Sequence, residues 1–136
     1  MIPRDCLLSI MLTVLAGAAN GSDLALPTYR AEYKTEVGGM DVTLVRTLTE
    51  KNGQYQLNQS GQKTFLVKLS EDADFSVENG RVVGEHFVYQ LSGISNRRRE
   101  VIFDKNAGVI RSLRKKKWTE HPWADDVLDR LSLQEQ

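Results

Sequence analysis

Cysteine is almost absent from this chain of 136 residues, since only Cys6 occurs, close to the N-terminus. A single cysteine forms no disulfide within the chain. Cys6 also lies in a segment that we expect to be removed, which excludes a thiol nucleophile and a thiolate metal site. His86 and His121 are the two histidines, whereas a zinc site needs three or four ligands. We therefore predict that the protein holds neither a metal ion nor a cofactor.

Long hydrophobic runs are missing as well. The longest mainly apolar stretch runs from Cys6 to Ala19, fourteen residues, whereas a helix that spans a bilayer needs about 20. Arg4 precedes this stretch, and Ala16-Gly17-Ala18 supplies the small residues of a peptidase site, which is the pattern of a secretory signal. We predict that residues 1–18 are a cleavable signal peptide and that no transmembrane anchor remains after cleavage. The expected location is periplasmic, with secretion as the alternative.

Neither sign of charge is in excess, because Lys and Arg together number 18 and Asp and Glu together number 18. The overall charge therefore predicts no particular partner. Residues 19–136, which remain after the predicted cleavage, fit one domain of common size with a modest core.

Alternation of apolar and polar residues dominates the mature chain and predicts β-strands. The stretch from Thr28 to Val37 shows it, with every second residue from Tyr29 onward on one face. Gly38-Gly39, Lys51-Asn52-Gly53 and Asn79-Gly80 favour hairpin turns. Ser60-Gly61-Gln62 is predicted to be a further turn. This spacing predicts an antiparallel meander.

The last part of the chain changes its pattern. A final hairpin is predicted to join Arg99–Phe103 to Val109–Leu113. From Asp125 to Gln136 the apolar residues recur at steps of three and four, which predicts a short helix. The fold class is therefore mainly β, an antiparallel meander sheet with a short C-terminal helix.

Several short phrases carry a resemblance to a known family. They are Tyr29–Tyr33, Phe75 with Glu78–Arg81, Phe87–Tyr89, Val101–Asp104, and Asp129–Gln134, which holds Asp129, Leu131, Ser132 and Gln134 in a D-x-L-S-x-Q pattern. In these phrases the chain resembles the bacterial domain of unknown function 3108 family, whose members are exported envelope proteins. Gly84 and Lys105 depart from the pattern, because proline and tryptophan are common in the family at these places.

The resemblance implies a curved, half-barrel-like sheet of the kind that carries lipids or lipoproteins. It also implies further strands after Gln136, so the domain of residues 19–136 is expected to be incomplete at its C-terminal end. The resemblance to the family implies no enzymatic activity, and an analogy at the level of the fold suggests only a class of ligand.

The feature most open to a functional interpretation is a basic segment. Its candidate contact residues for an anionic ligand or partner are Arg97, Arg98, Arg99, Arg111, Arg114, Lys115, Lys116 and Lys117. If the two arms pair as a hairpin, cations lie opposite each other, which costs roughly 0.2–1 kcal/mol per pair unless an anion relieves it. The alternative is a solvated face or edge whose cations discourage strand pairing. Nucleic acid is excluded as a partner, because only Phe103 and Trp118 bring aromatic rings to this segment.

Other clusters carry weaker signals. The stretch Trp118–Asp126 could stack on a sugar or bind a metal, but its tryptophans are expected to cover one end of the core. His86 is interpreted as ordinary, and it has no nucleophile elbow beside it that would complete a serine triad. Glu71, Asp72 and Asp74 are predicted to lie in a solvated loop.

The function predicted from the sequence is that of a noncatalytic binding or carrier module for a lipid-like or anionic envelope ligand. The alternative is a structural or adaptor protein that docks on an envelope partner through its basic hairpin or a sheet edge. No arrangement of residues dictates a reaction, and an enzyme is the third choice.

Overall fold

The computed structural model describes residues 25–63 and 66–136, so the predicted signal peptide lies outside the described residues. Eight antiparallel strands form one sheet, in which neighbours in the chain are neighbours in space. The strands are β1 (Tyr29–Val37), β2 (Met40–Lys51), β3 (Gln54–Lys63), β4 (Val67–Glu78), β5 (Arg81–Gly93), β6 (Arg97–Asp104), β7 (Val109–Arg114) and β8 (Lys117–Pro122). The predicted antiparallel meander is confirmed.

Four hairpins close through two-residue turns with positive φ angles. Gly38-Gly39, Asn52-Gly53 and Asn79-Gly80 lie where the sequence predicted turns, and the fourth turn is Lys115-Lys116. Positive φ at both turn positions matches the twist of the flanking strands, which is why Asn-Gly and Gly-Gly are favoured there.

The turn predicted at Ser60-Gly61-Gln62 is wrong, because β3 continues to Lys63. Gly61 allows β2 and β3 to approach each other closely. A Cβ built on it would lie 2.5 Å from the carbonyl oxygen of Thr43, so any other side chain would push β2 and β3 apart.

One face of the sheet, here called the inner face, carries the core. Tyr29, Ala31, Tyr33 and Thr35 lie opposite Leu48, Arg46, Leu44 and Val42 and share this face with them. The main cluster is apolar and contains Leu48, Tyr55, Leu57, Ala73, Phe75, Val82, Phe87 and Leu131. A second, smaller cluster contains Val42, Leu44 and Leu69. The alternation of the sequence therefore predicted the faces of the strands correctly.

The helix predicted from Asp125 to Gln136 is reduced to a single 3-10 turn over Ser132–Glu135. Asp129 accounts for the difference, since its Oδ1 accepts hydrogen bonds from the backbone N–H groups of Leu131 and Ser132, and its Oδ2 accepts one from the Ser132 hydroxyl. These bonds give the backbone an alternative to helical pairing. The segment instead packs against β4 and β5, and Leu131 joins the core there.

The sheet stays open in the described part of the chain, where β1 and β8 form its two edges and do not pair with each other. Across residues 25–63 and 66–136, no helix has the length and apolar character that crossing a bilayer requires.

A candidate anion-binding cleft

Strand β6 pairs with its two neighbours over different lengths. Its pairing with β5 extends to the pair Leu91–Arg97, whereas its pairing with β7 ends at Glu100–Leu113. The two arms separate beyond that pair, so an opening lies between the start of β6 and the turn that joins β7 to β8.

Charge explains where the pairing of β6 and β7 stops. If the register continued by one residue, Arg99 would lie opposite Arg114, which is the last residue of β7. Like charges placed directly opposite each other destabilise an antiparallel pair. The strands separate before this pair forms, so its predicted cost is avoided, and a cleft lies between the start of β6 and the Lys115-Lys116 turn.

The cleft has a volume of about 580 Å³. Its lining is mostly cationic and consists of Gln90, Asn96, Arg97, Arg98, Arg99, Leu113, Arg114, Lys115 and Lys116. Six of the eight predicted contact residues thus meet in one place. Gln90, Asn96 and Leu113 are not basic, so the charge pattern did not indicate them. The order of the hairpins places them beside the cations: Gln90 lies on β5 opposite Arg98, Asn96 directly precedes β6, and Leu113 precedes Arg114 on β7.

Few acids compensate the charge of the cleft. Arg98 Nη2 lies 2.9 Å from Glu100 Oε2, and the Arg99 guanidinium lies 5.9 Å from the centre of the Tyr89 ring, in cation–π contact. Among residues 25–63 and 66–136, no carboxylate forms an ion pair with Arg97, Arg114, Lys115 or Lys116. Within the described residues, the charge of these four cations is therefore not balanced by an acid.

Glu100 is the carboxylate next to the cleft, and it is already engaged. His86 Nε2 lies 2.8 Å from its Oε1. This hydrogen bond, together with Arg98, lowers the pKa of Glu100 against the opposing effect of burial. His86 also lies 3.8 Å from Asp74, so it lies between two carboxylates on the surface of the sheet. The sequence did not indicate this position.

Two predicted contact residues lie outside the cleft. Arg111 is 3.5 Å from Glu120 and 3.6 Å from Asp104, which together balance its charge. Lys117 begins β8 and pairs with Arg114 across the turn, but it does not line the opening.

The turn at the rim of the cleft has an unusual backbone. Lys115 and Lys116 have φ angles of 51° and 61°, in the left-handed region that costs non-glycine residues roughly 1–2 kcal/mol each. The equivalent positions of the other three tight hairpins hold glycine or Asn-Gly. The chain therefore keeps two lysines where the backbone favours other residues, and such outliers cluster at functional sites.

A second polar cluster lies in a row on the inner face. Arg46, Gln59, Glu71 and Tyr89 follow one another across β2 to β5 as directly opposed residues. Arg46 Nε donates to Gln59 Oε1 at 2.8 Å, and Gln59 Nε2 donates to Glu71 Oε2 at 3.1 Å. Glu71 is 2% exposed, so these partners are needed to hold its carboxylate in the interior.

The C-terminal segment completes this row. Arg130 pairs with Glu71, and its guanidinium lies 5.1 Å from the centre of the Tyr89 ring. Arg46 Nη2 donates to Gln134 Oε1 at 2.6 Å. Of the family-like residues, Leu131 and Gln134 fasten the segment to the sheet, whereas Asp129 and Ser132 bond to each other within it. None of the four lines the cleft.

The solvated loop predicted for Glu71, Asp72 and Asp74 is wrong, because all three residues lie within β4. Leu69, Glu71, Ala73 and Phe75 alternate along the inner face, and this alternation was the signal that a charge-based interpretation missed.

The other sequence candidates do not converge. Asp104 pairs with Arg111 and His86 with Glu100, so the two do not complete a serine triad. Ser112 Oγ and His121 Nε2 lie 3.2 Å apart on the exposed surface. Trp118 is 47% exposed on β8 and does not cover the core as predicted. In the part of the chain that the structure describes, no group of three or more His, Cys, Asp or Glu side chains could hold a metal ion.

No family model matches the chain, and the comparisons with curated proteins and with solved structures find no match either. The resemblance to the domain of unknown function 3108 family therefore stays a prediction.

Proposed function

We propose that this protein is an exported, noncatalytic binding protein whose basic cleft takes the anionic group of an envelope ligand. The observation that supports the proposal is the convergence of six cations from two chain segments on one opening, five of them without an acidic partner in the described chain. N-terminal sequencing of the protein recovered from cells tests the export part, with a start after Ala18 as the expected result.

The chemistry of the cleft suits phosphate oxygens. Arginine presents a planar fork of donors that matches phosphate and carboxylate groups, and lysine adds a compact charge. Gln90 and Asn96 add amide groups, and Leu113 adds an apolar contact to the same lining. Hydrogen bonds to charged groups are the stronger class, at roughly 1.5–3 kcal/mol each, so a few of them give measurable affinity for a small anion.

Titration calorimetry with inorganic pyrophosphate tests the proposal. We expect saturable binding that weakens with salt, and a loss of about tenfold or more in the double variant Arg97→Gln/Arg114→Gln, because two charge-assisted contacts are removed. The matched control is Lys51→Gln/Arg81→Gln, which removes the same charge at exposed positions of other hairpins. Equal affinities of the two variants would contradict a specific site.

An adaptor role is the second candidate, and the observation that favours it is the outer edge of β8. Every residue of this strand is exposed, and no strand of the described chain pairs with its far side, which is the geometry of strand addition by a partner. Absence of pyrophosphate binding in the calorimetry would favour this role over ligand binding.

A further inference from the structure

The two ends of the sheet differ in charge. In an antiparallel meander, alternate turns lie at the same end, so the turns after β1, β3, β5 and β7 share one end, here called the basic end. This end holds the cleft. At the opposite end each turn has one acid and one base beside it or within it, namely Glu50 and Lys51, Glu78 and Arg81, and Asp104 and Lys105.

The basic end also exposes apolar side chains. Ile94, in the turn between β5 and β6, is 71% exposed, and Leu66, before β4, is 38% exposed. Ile94 N–H donates to the Leu66 carbonyl at 2.8 Å, so the two residues lie side by side. Surface apolar residues are common singly, but Ile94 is only two residues along the chain from the cleft residue Asn96, and Leu66 lies beside Ile94.

A tryptophan lies on the other flank of the cleft. Trp118 is 47% exposed and pairs directly with Leu113, which lines the opening. The cleft is therefore bordered by an aliphatic pair on one side and by an indole ring on the other. Tryptophan is enriched at the boundary between lipid and water, where its ring sits at headgroup level.

We propose that the basic end docks onto an anionic lipid bilayer, with headgroup phosphates in the cleft and with Ile94, Leu66 and Trp118 in the interfacial layer. This inference rests on the proposed function, since it names the source of the anion that the cleft takes. Basic residues add roughly 1 kcal/mol each near an anionic membrane surface, and the buried apolar side chains add the hydrophobic part of the binding.

Two acids at the same end do not oppose this docking. Glu36 and Asp41 flank the turn between β1 and β2, and β2 is separated from β6 by four strand spacings, roughly 19 Å along the sheet. Charges so far apart are largely screened at physiological ionic strength, where the Debye length is about 8 Å. The bilayer therefore meets the β5–β8 side of the basic end first.

Sedimentation with vesicles tests the docking. The full chain is mixed with vesicles of phosphatidylcholine and with vesicles of equal parts phosphatidylcholine and phosphatidylglycerol. Ile94→Ser is expected to weaken binding to the anionic vesicles about tenfold or more, because one exposed apolar side chain no longer enters the interface. Leu133→Ser is the matched control, since Leu133 is 58% exposed on the C-terminal segment. The apolar stretch from Cys6 to Ala16 is present in the native protein and in both variants, so it contributes equally to their vesicle binding. A difference in binding between the variants therefore reports on the substituted side chain.

Tryptophan emission gives a second readout. In the variant Trp123→Phe only Trp118 emits, and we expect its emission to shift to shorter wavelength with anionic vesicles. We also expect Ile94→Ser to leave the affinity for pyrophosphate unchanged, because Ile94 does not line the cleft.

Three results would overturn the docking. Vesicle binding that Ile94→Ser leaves unchanged, or pyrophosphate binding without vesicle binding, would refute it and leave the anion site standing, with a soluble phosphate as its ligand. Binding to neither pyrophosphate nor vesicles would refute both proposals.

Discussion

At the scale of single residues, Tyr29 shows how the first strand is tied to the end of the chain. Its hydroxyl donates to Glu135 Oε1 at 2.6 Å. Burial and, to a smaller extent, this hydrogen bond to a carboxylate raise the pKa of Tyr29 from its usual 10.0 to about 12. The bond needs the protonated phenol, so it links the stability of the fold to alkaline pH.

The direction of this linkage follows from the pKa values. Because the pKa is higher in the folded state, the stabilising contribution of Tyr29 is complete below pH 10 and is lost as the pH rises through about 12. We expect the urea midpoint of the native protein to exceed that of Tyr29→Phe at pH 9, and the difference to shrink by pH 12. Tyr33→Phe, an exposed tyrosine on the same strand, is the control. A constant difference between the native protein and Tyr29→Phe over this range would contradict the linkage.

Glu71 marks the limit of prediction at this scale. Its neighbours in sequence, Asp72 and Asp74, suggested a solvated cluster, yet Glu71 points to the inner face and is buried. The alternation from Leu69 to Phe75 predicts that face correctly. The partner Arg130, however, lies 59 positions later in the sequence, and pairing over such a distance is visible only once the C-terminal segment is placed.

At the scale of elements, the hairpin of β7 and β8 combines two opposing demands. Its turn residues Lys115 and Lys116 carry charge to the rim of the cleft, but both have positive φ angles. Strain at a turn persists where the surrounding structure enforces it, and here the flanking strands set the two-residue loop.

Replacement of Lys115-Lys116 by Asn-Gly separates these demands. We expect the double variant to gain about 1 kcal/mol of unfolding free energy, because the strain of two left-handed lysines exceeds the flexibility cost of one glycine. We also expect weaker pyrophosphate binding, because two cleft charges are lost. Urea unfolding and calorimetry measure the two effects. Lys115→Gln/Lys116→Gln is the control, which loses the charges but keeps the strain, and a stability gain in that control as large as that of the Asn-Gly variant would contradict the strain argument.

The elements were predictable to different extents. Strand faces and the turns at Gly38-Gly39, Asn52-Gly53 and Asn79-Gly80 follow from local rules of alternation and backbone preference, and these predictions are confirmed. The turn predicted at Gly61 was wrong and the C-terminal helix is shorter than predicted, for different reasons. The close approach of β2 to Gly61 is a tertiary feature, whereas Asp129 bonds to the backbone two and three residues later, a local competition that the spacing of apolar residues does not show.

The cleft was predictable in composition but not in shape. The cations of the two arms stand out in the sequence, and their repulsion in a paired hairpin was foreseen. Which pairs separate depends on register, and Glu100–Leu113 is the last pair before the cations meet. Arg111 lies outside the cleft and pairs with Asp104 and Glu120, which the strand order brings next to it.

At the scale of the whole molecule, a single open sheet has an inner face that needs a cover. The C-terminal segment provides it by placing Leu131 in the main core cluster, while Arg130 and Gln134 bind the polar row beside it. The cover lies against β4 and β5, and the cations that line the cleft come from β6 and β7 and the turns beside them. The Tyr89 ring contacts both Arg130 of the cover and Arg99 of the cleft. Variants placed away from this ring therefore test folding and binding separately.

Leu131→Ala tests whether the C-terminal segment is part of the folded unit. Leu131 is 1% exposed and packs in the main cluster, whereas Leu133, two residues away, is 58% exposed. We expect Leu131→Ala to lower the unfolding free energy by about 2–5 kcal/mol, through lost burial and the cavity it leaves. Leu133→Ala should stay within about 0.5 kcal/mol of the native protein. Urea unfolding at neutral pH measures both, and similar small effects of the two variants would show that the segment does not cover the sheet in solution.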